Sequence, residues 1–291
     1  MDLMQSVIMG IIQGVTEFLP VSSSGHLAIF KIMFHVDTST GLLFDVLLHI
    51  GTLIAVFIVY YKDIFQMIAA VIGIIADSIK NIGTFFHNIG RRKKQPFIRV
   101  IHNGYRKFVL LVIVSTIPTG IIGYVAGDLV EAASEILLIP GICLLVTGTL
   151  LIISDRVPDG GKGPKTVTYA NSFVIGICQG IATLPGLSRS GTTITACLLS
   201  GFDRKFAVKY SFIMSVPAIL GAAVLELKDF KPAQLVPGEL KNYIIGMIVS
   251  AVVGYVCIKT MLVIVRKKKF TYFALYCYAI GAISIFGYLT A

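Results

Sequence analysis

The sequence predicts an all-α polytopic membrane protein with six transmembrane helices and two re-entrant helix-loop-helix hairpins, arranged as an inverted repeat. Of its 291 residues, 56% are hydrophobic and only 14% are charged, whereas an average soluble domain is about 45–50% apolar and about 25% charged. Long apolar segments alternate with short polar connections, and two of these segments are interrupted by proline, glycine and serine. We therefore expect a single membrane domain over residues 1–291.

Six segments are long enough to cross a bilayer. A helix needs about 20 apolar residues to traverse ~30 Å of hydrocarbon. The segments that meet this requirement are residues 42–61, 108–127, 136–154, 207–227, 243–265 and 272–289. A further apolar stretch, residues 64–86, contains Asp77 and Lys80. We interpret it as an amphipathic surface helix and not as a seventh span.

Two other apolar segments, residues 4–34 and 169–202, are each broken into halves of about 10–15 residues, too short to span. The first break reads Leu-Pro-Val-Ser-Ser-Ser-Gly at residues 19–25, and the second reads Pro-Gly-Leu-Ser-Arg-Ser-Gly at residues 185–191. Non-helical backbone is tolerated at membrane depth only inside protein or beside a water-filled cavity. Both segments are therefore predicted to be re-entrant hairpins whose tips carry the function.

Basic residues are concentrated in the connection between the first two spans, whereas the next connection carries Asp128, Glu131 and Glu135. Because cytoplasmic loops are enriched in lysine and arginine, residues 62–107 are predicted to form a cytoplasmic basic loop that includes the amphipathic helix. Its basic run at residues 91–94 is expected to hold anionic headgroups. The net charge of +10 comes from such clusters beside apolar runs, so no nucleic-acid partner is expected.

The two halves of the chain repeat. A shift of 166 residues places Gly10-Ile-Ile-Gln-Gly14 on Gly176-Ile-Cys-Gln-Gly180, and it places residues 22–25 on residues 188–191. This indicates an internal duplication, with repeats of about 1–155 and 165–291. Each half has one hairpin and three spans, and an odd number of crossings inverts the second half relative to the first. An inverted repeat of this kind is expected to bring both tips together near the bilayer midplane.

The first tip combines a carboxylate, hydroxyls and an imidazole. Gln13 and Glu17 lie four residues apart on one helix face. The residues that follow at the start of the returning half-helix are Ser22, Ser23, Ser24, Gly25 and His26. Serine before glycine is favourable N-cap chemistry, and a helix N-terminus offers free N–H donors and a positive dipole end. The sequence therefore predicts an anion site at this tip.

The second tip adds an arginine to equivalent hydroxyls. Its residues are Ser188, Arg189, Ser190, Gly191 and Thr192. Arginine presents a planar fork matched to phosphate, and an unpaired cation within the membrane costs at least ~2.5–3.5 kcal/mol. A diphosphate, with several negative oxygens, is the ligand class that would satisfy both tips together.

Glu17, His26 and Arg189 are functional candidates because ionisable residues within the membrane rarely serve packing alone. The alternative is a purely structural Glu17–Arg189 ion pair. Ser23 and His26 are the candidate nucleophiles, and Glu17 is a candidate general base, partner to His26 or ligand of a divalent cation. Asp45 and His49 also lie four residues apart, and we interpret them as a hydrogen-bonded pair and not as a metal site.

At both tips the sequence resembles the undecaprenyl-diphosphate phosphatase family, also called the bacitracin-resistance (BacA or UppP) family. The matching stretches are QGVTEFLPVSSSGH at residues 13–26 and PGLSRSGTT at residues 185–193, and the resemblance extends over essentially the whole chain. It implies hydrolysis of undecaprenyl diphosphate to the monophosphate carrier of peptidoglycan synthesis, in the bacterial plasma membrane, with a divalent cation such as Mg²⁺ or Ca²⁺. The site residues that it implies are Gln13, Glu17, Ser23, His26 and Arg189. Gln13 stands where many members of the family have glutamate.

Two other classes of protein share features with this sequence. Type 2 phosphatidic acid phosphatases place a histidine six residues after the motif arginine, and here that position is Thr195. A prenyl-phosphate lipid flippase or transporter is the alternative function, because inverted repeats with broken helices are a transporter architecture. Glu17 and His26 beside hydroxyls favour hydrolysis, since binding alone would not require them. The expected partners are a polyprenyl diphosphate lipid, membrane lipids and a second copy of the chain in a homodimer.

Overall fold

The computed structural model of this protein describes residues 2–34, 41–91, 93–229 and 239–290. Across these ranges the regular structure is helical, apart from one isolated bridge between Lys162 and Phe202. The helices are α1 (Leu3–Phe18), α2 (Ser23–Met33), α3 (Gly41–Val59), α4 (Tyr61–Asn88), α5 (Gly104–Val125), α6 (Gly127–Ser134), α7 (Leu138–Arg156), α8 (Tyr169–Ile181), α9 (Arg189–Leu199), α10 (Arg204–Asp229), α11 (Glu239–Arg266) and α12 (Thr271–Thr290). The all-α prediction is confirmed.

The predicted spans appear as helices α3, α5, α7, α10, α11 and α12. All but α3 are long and apolar enough to cross a membrane, and α4 meets the same requirements, so six candidate spans lie in the described ranges. The apolar part of α3 that can be assessed, Leu43–Val59, is a shorter helix. The two broken segments form the pairs α1–α2 and α8–α9, whose halves are separated where the proline, glycine and serine breaks predict. This arrangement is compatible with re-entrant hairpins.

Helix α4 lies across the end of α5. Near its start, Asp63 accepts a hydrogen bond from the Tyr105 hydroxyl at 2.8 Å. Asp77, 14 residues later (77 minus 63), accepts one from Arg106 Nη1 at 2.5 Å. Arg106 also donates to the carbonyl of Val100, which precedes α5. Fourteen residues of helix extend ~21 Å, yet both contacts reach the first turn of α5. A helix crossing the membrane beside α5 would contact it at increasing depth, so this placement favours the surface helix that the sequence predicts.

The outer face of α4 is an exposed apolar stripe with a spacing of three and four residues. Its members are Phe65, Ile68, Ile72, Ile75, Ile79, Ile82 and Phe86. On another face, the amides of Asn81 and Asn88 hydrogen-bond to the backbones of Ile98 and Gln95 at 2.8–2.9 Å, which fastens the returning chain along the helix. Polar groups are thus satisfied by protein while the apolar stripe stays open, as in helices that lie in a membrane interface. Arg92, in the basic run that follows, is outside the described residues.

We predict that spin labels at Ile68→Cys, Ile75→Cys and Ile82→Cys report one shallow depth in liposomes, because these positions are seven residues apart on the same stripe. Depth is measured from the relative accessibility to oxygen and to a water-soluble relaxation agent. Lys80→Cys, on the flank of the stripe, is the control and should contact water. A depth that rises and falls along the three positions would show instead that α4 crosses the bilayer.

Each broken segment packs against a span of the other half of the chain. Helix α1 lies along α11, and α8 lies along α5. A Cβ added at Gly10 would lie 2.5 Å from the carbonyl oxygen of Gly246, and one added at Gly176 would lie 2.2 Å from that of Ser115. Such close backbone approach is typical of small residues in membrane helix pairs. The glycines four residues later complete a Gly-x-x-x-Gly pattern in both helices: a Cβ added at Gly14 would lie 2.8 Å from the carbonyl oxygen of Ser250, and one added at Gly180 would lie 2.7 Å from Cβ of Ile122. Positions related by the 166-residue shift therefore make equivalent contacts.

Helices α7 and α12 form a second close pair, again through glycine. A Cβ added at Gly141 would lie 3.1 Å from the carbonyl oxygen of Gly281, and one at Gly148 would lie 3.0 Å from that of Ala274. The largest buried apolar cluster lies between these two helices and α5, α9, α10 and α11. The two broken segments are thus held within a frame built from both halves.

We predict that Gly176→Ala lowers the stability of the purified protein by about 1–3 kcal/mol, the usual cost of overpacking. Gly120→Ala, in α5, is the matched control because an added Cβ there meets nothing within 4 Å. The measurement is the midpoint of thermal unfolding in detergent, followed by size-exclusion fluorescence. Equal midpoints for the two variants would contradict the close contact between α8 and α5.

Candidate active site

The tips of the two broken segments touch. A Cβ added at Gly25 would lie 2.7 Å from Cα of Gly186, and one added at Gly191 would lie 3.3 Å from Cβ of Pro20. The 166-residue shift relates Pro20 to Gly186 and Gly25 to Gly191, so these are the same contact made once from each half. Gly186 has a φ of +90°, a conformation that glycine adopts at no steric cost. The structure therefore brings together the two motifs that the sequence singled out.

Equivalent serines cap the two helices that leave the tips. Ser22 Oγ accepts a hydrogen bond from the Gly25 N–H at 3.3 Å, and Ser188 Oγ accepts one from the Gly191 N–H at 3.1 Å. Ser22 has a φ of +72°, a left-handed conformation that costs a non-glycine residue about 1–2 kcal/mol and that is concentrated at functional sites. The starts of α2 and α9 thus place two positive dipole ends next to each other, which favours an anion between them.

Glu17 is the centre of the polar contacts between the tips. Its side chain is buried, and its Oε1 accepts a hydrogen bond from Arg189 Nη2 of the second tip. Its Oε2 accepts hydrogen bonds from Ser23 Oγ at 2.6 Å and from Gln13 Nε2 at 3.1 Å. A buried carboxylate is tolerated only when it is paired, and here the cation comes from one half and the hydroxyl and amide from the other. Three predicted site residues, Gln13, Ser23 and Arg189, therefore contact the carboxylate of a fourth, Glu17.

His26 does not contact Glu17 in the described structure. Its Nδ1 lies 2.7 Å from the carbonyl oxygen of Ser22, and its Nε2 lies 2.8 Å from the hydroxyl of Tyr276 in α12. The two rings are parallel within 6°, with centroids 5.5 Å apart. The imidazole thus lies outside the group of side chains that contact Glu17, and it contacts the last helix, α12. Nothing in the sequence pattern singled out Tyr276.

The remaining predicted residues line the tips with hydroxyls. Ser24 Oγ is exposed and lies 3.4 Å from Ser22 Oγ. Ser190 Oγ lies 3.3 Å from Ser188 Oγ and 3.4 Å from the carbonyl oxygen of Leu19 on the opposite tip. Two buried oxygens in this region have no hydrogen-bond partner among the described residues: Thr192 Oγ1 and Gln13 Oε1. A buried polar atom left unpaired costs about 1–3 kcal/mol, and the Gln13 oxygen belongs to the amide that contacts Glu17.

Two residues that the sequence did not indicate support the tips. Thr147 of α7 donates from Oγ1 to the carbonyl oxygen of Gly186 at 3.0 Å and accepts from the Ser188 N–H at 2.9 Å. Cys277 of α12 places its sulfur 3.9 Å from the carbonyl oxygen of Pro20. Since Pro20 and Gly186 are equivalent positions, the paired helices α7 and α12 hold the two tips in equivalent ways.

Asp45 and His49 are hydrogen-bonded, but through the backbone. His49 Nδ1 lies 2.9 Å from the carbonyl oxygen of Asp45, and the Asp45 carboxylate pairs with Lys31 of α2. Across the described ranges, no group of three or more histidine, cysteine, aspartate or glutamate side chains is placed to hold a metal ion.

Two surface cavities lie away from the tips, so cavity shape alone would not identify the site. One, of about 400 Å³, is lined by Asp159 and Arg204, and the other, of about 320 Å³, is lined by Asp63 and Lys209. At the tips, Arg189 at the start of α9 is paired with Glu17. Chemistry and symmetry identify this site where concavity does not.

The site combines two helix starts, an arginine fork, a carboxylate and serine hydroxyls on paired broken helices. These groups suit the binding of a phosphate group, so the fold and the site define a polytopic membrane protein that acts on phosphate. The profile of the family described as bacitracin resistance protein BacA matches residues 6–283. The chain belongs to this family, and it is a multi-pass membrane protein. The family resemblance of the two motifs is confirmed.

Relatives named undecaprenyl-diphosphatase match along the whole chain. The protein of Alkaliphilus metalliredigens strain QYMF is 42% identical over 285 residues, which cover 98% of both chains. The protein of Methanobrevibacter smithii is 40% identical over 291 residues, covering 100% of this chain and 99% of its own. That of Methanosphaera stadtmanae is 37% identical over 285 residues, 98% of both chains.

We predict that Glu17 and Arg189 are energetically coupled. Glu17→Gln should destabilise the protein because it leaves the Arg189 charge partly buried without its partner, and the double variant Glu17→Gln/Arg189→Gln should recover part of that loss. The coupling energy from thermal unfolding of the four proteins in detergent is expected to be about 1–3 kcal/mol. Strictly additive effects would contradict a direct contact between the tips.

Proposed function

We propose that this chain is an integral membrane phosphatase that hydrolyses undecaprenyl diphosphate to undecaprenyl phosphate and inorganic phosphate, and so recycles the lipid carrier of peptidoglycan synthesis. The observation that carries this proposal is the contact of Glu17 with Arg189 from one tip and with Ser23 from the other. It supports this activity because a guanidinium that suits phosphate, a carboxylate that suits a base and a hydroxyl that suits a nucleophile contact one another. The names of the full-length relatives support the same substrate.

Substrate binding would rearrange the ion pair. Arg189 can present two parallel N–H donors to a phosphate, and such charge-assisted pairs are about twice as strong as neutral hydrogen bonds. The terminal phosphate therefore competes with Glu17 for the guanidinium, while the free N–H groups at the starts of α2 and α9 receive its remaining oxygens. Once displaced from Arg189, Glu17 keeps its hydrogen bond with Ser23.

Within this proposal Ser23 is the nucleophile and Glu17 is the general base. The Ser23 hydroxyl already donates to Glu17 Oε2 at 2.6 Å, the arrangement in which a base activates a hydroxyl. Glu17 takes the proton, Ser23 Oγ bonds to the terminal phosphorus, and the bond from that phosphorus to the bridging oxygen breaks. The prenyl monophosphate leaves with the electron pair of that bond, and water then hydrolyses the phosphoserine. Arg189 and the helix starts stabilise the charge that spreads over the phosphoryl oxygens.

A divalent cation, Mg²⁺ or Ca²⁺, is part of the proposal through the family resemblance. Such ions take oxygen ligands, and the Glu17 carboxylate and the unpartnered Oε1 of Gln13 are oxygen donors at the right place. When bound, the ion would neutralise charge on the diphosphate, whose own oxygens would complete the coordination. A glutamine at position 13 contributes this oxygen without adding a second negative charge.

The setting of the enzyme follows from the same resemblance. We expect it in the plasma membrane of a bacterium, in contact with membrane lipids, and a homodimer remains a prediction. A lipid flippase or transporter is the alternative function, because broken helices that pack across two repeats are found in transporters. The Ser23–Glu17 hydrogen bond favours hydrolysis, since transport of a headgroup does not require an activated hydroxyl.

We predict that the purified protein in detergent releases inorganic phosphate from a prenyl diphosphate, and that Glu17→Ala and Arg189→Ala each lower this rate at least about 100-fold, the effect of removing a general base in the first variant and a transition-state donor in the second. Arg189→Lys should also be poor, because a point charge does not replace the fork. Arg156→Lys, at the exposed end of α7, is the matched control and should keep normal activity.

Different outcomes separate the alternatives. Lipid movement across liposomes without any phosphate release would identify a transporter. Normal turnover of Glu17→Ala or Arg189→Ala would remove that residue from the catalytic set, and normal turnover of Ser23→Ala would shift the nucleophile to His26.

A further inference from the structure

The geometry assigns the tautomer of His26. Nδ1 lies 2.7 Å from the carbonyl oxygen of Ser22, and because a carbonyl can only accept, Nδ1 carries the hydrogen. In the neutral ring Nε2 then bears the lone pair, and the Tyr276 hydroxyl, 2.8 Å away, donates to it. Nε2 is therefore the nitrogen that can take up a proton, and the Tyr276 hydroxyl occupies its lone pair until a reacting water takes that place.

Tyr276 reaches the first tip from the opposite end of the chain, 250 residues after His26. Its ring stacks on the imidazole, with centroids 5.5 Å apart and planes within 6°, so two independent contacts fix the ring. The next residue, Cys277, is buried against the carbonyl oxygen of Pro20 at the same tip. Two consecutive residues of α12 thus contact the first tip, Tyr276 at His26 and Cys277 at Pro20.

The support behind Tyr276 is shared with the second tip. Helix α12 packs tightly on α7 through Gly141 and Gly281, and α7 holds Gly186 and Ser188 through Thr147. The position of the Tyr276 hydroxyl is therefore set relative to Arg189 as well as to His26. In the second tip, the 166-residue shift places Thr192 at the position of His26. The contact between an imidazole and Tyr276 is therefore made at the first tip and has no equivalent at that position of the second.

We propose that Tyr276 is a positioning residue for the hydrolysis described above: its hydroxyl and ring hold His26 with Nε2 as the lone-pair nitrogen, in a fixed direction at the first tip. This inference rests on the proposed function. Tyr276 acts on the reaction through His26: once Glu17 has taken the Ser23 proton, the His26 imidazole is the base that remains at the first tip for the water that hydrolyses the phosphoserine. Fixing a reacting group in one geometry acts on the transition state more than on binding.

Tyr276→Phe keeps the stacked ring and removes only the hydroxyl. We expect kcat to fall about tenfold, the value of one lost hydrogen bond to a functional group, with KM unchanged. Tyr278→Phe is the matched control: it removes a hydroxyl from the same helix, where Tyr278 contacts Thr149 of α7 at 3.0 Å, and should keep the kcat of the parent protein. An unchanged kcat in Tyr276→Phe, or a rise in KM alone, would overturn the proposal.

A second measurement does not depend on turnover. In protein labelled with ¹⁵N-histidine, the resonances of His26 are assigned by their loss in His26→Gln. We expect Nδ1 to be protonated and Nε2 to be of the lone-pair type. Tyr276→Phe should move the Nε2 resonance and leave Nδ1 in place, and Tyr278→Phe should move neither.

An Nε2 resonance that stays unmoved in Tyr276→Phe would show that the hydroxyl does not hold the ring, and would refute the positioning role. Absence of phosphate release from the parent protein would instead refute the proposed function, while the resonances would still report on the Tyr276–His26 contact.

Discussion

The pairing of Glu17 with Arg189 is the interaction on which the arrangement of the chain depends. Each of these charges sits on a half-helix surrounded by apolar segments, and burying either one alone would cost several kcal/mol. In the described ranges, the ion pair of each charge is made with the other repeat. The cost is offset only when the two tips meet, so the requirement to pair a carboxylate and a guanidinium specifies how the two halves fit together.

Close helix packing makes that meeting possible. The glycines of α1 and α8 let each broken segment approach the backbone of a span from the opposite repeat, which leaves the tips projecting toward each other. Helices α7 and α12 then hold them through Thr147 and Cys277. The same frame that brings the charges together also fixes the residues around them.

The scaffold is nearly symmetric, but the chemistry is not. Gln13 and Gln179 occupy equivalent positions; the first contacts Glu17, whereas the second donates to Thr119 at 3.2 Å inside the α5–α8 contact. The position of Glu17 is filled by Thr183 in the second half, and that of Ser23 by Arg189. Duplication thus supplied two similar cradles, and different residues at a few positions turned them into complementary sides of one site.

Much of the fold and of the site can be predicted from the sequence, and the parts that cannot be predicted have physical causes. Apolar length located the spans, helix-breaking residues located the tips, and the 166-residue shift predicted that they meet. Length alone could not classify α4, because an interfacial helix with a broad apolar stripe satisfies the same test as a span. The pattern also gave no signal for Tyr276 or Thr147, since a single hydroxyl in an apolar helix has no periodicity to mark it, and the direction of His26 depends on a partner 250 residues away.

The exchange of partners between repeats has a consequence for how the protein is made. The chain emerges from its N-terminus, and α1 and α2 are synthesised long before α11 and α12, against which they rest. Until α9 arrives the Glu17 carboxylate lacks Arg189, and until α12 arrives the first tip lacks Tyr276 and Cys277, in an environment that penalises exposed polar groups. The contacts of the site are therefore complete only after both repeats, including α12, have been synthesised.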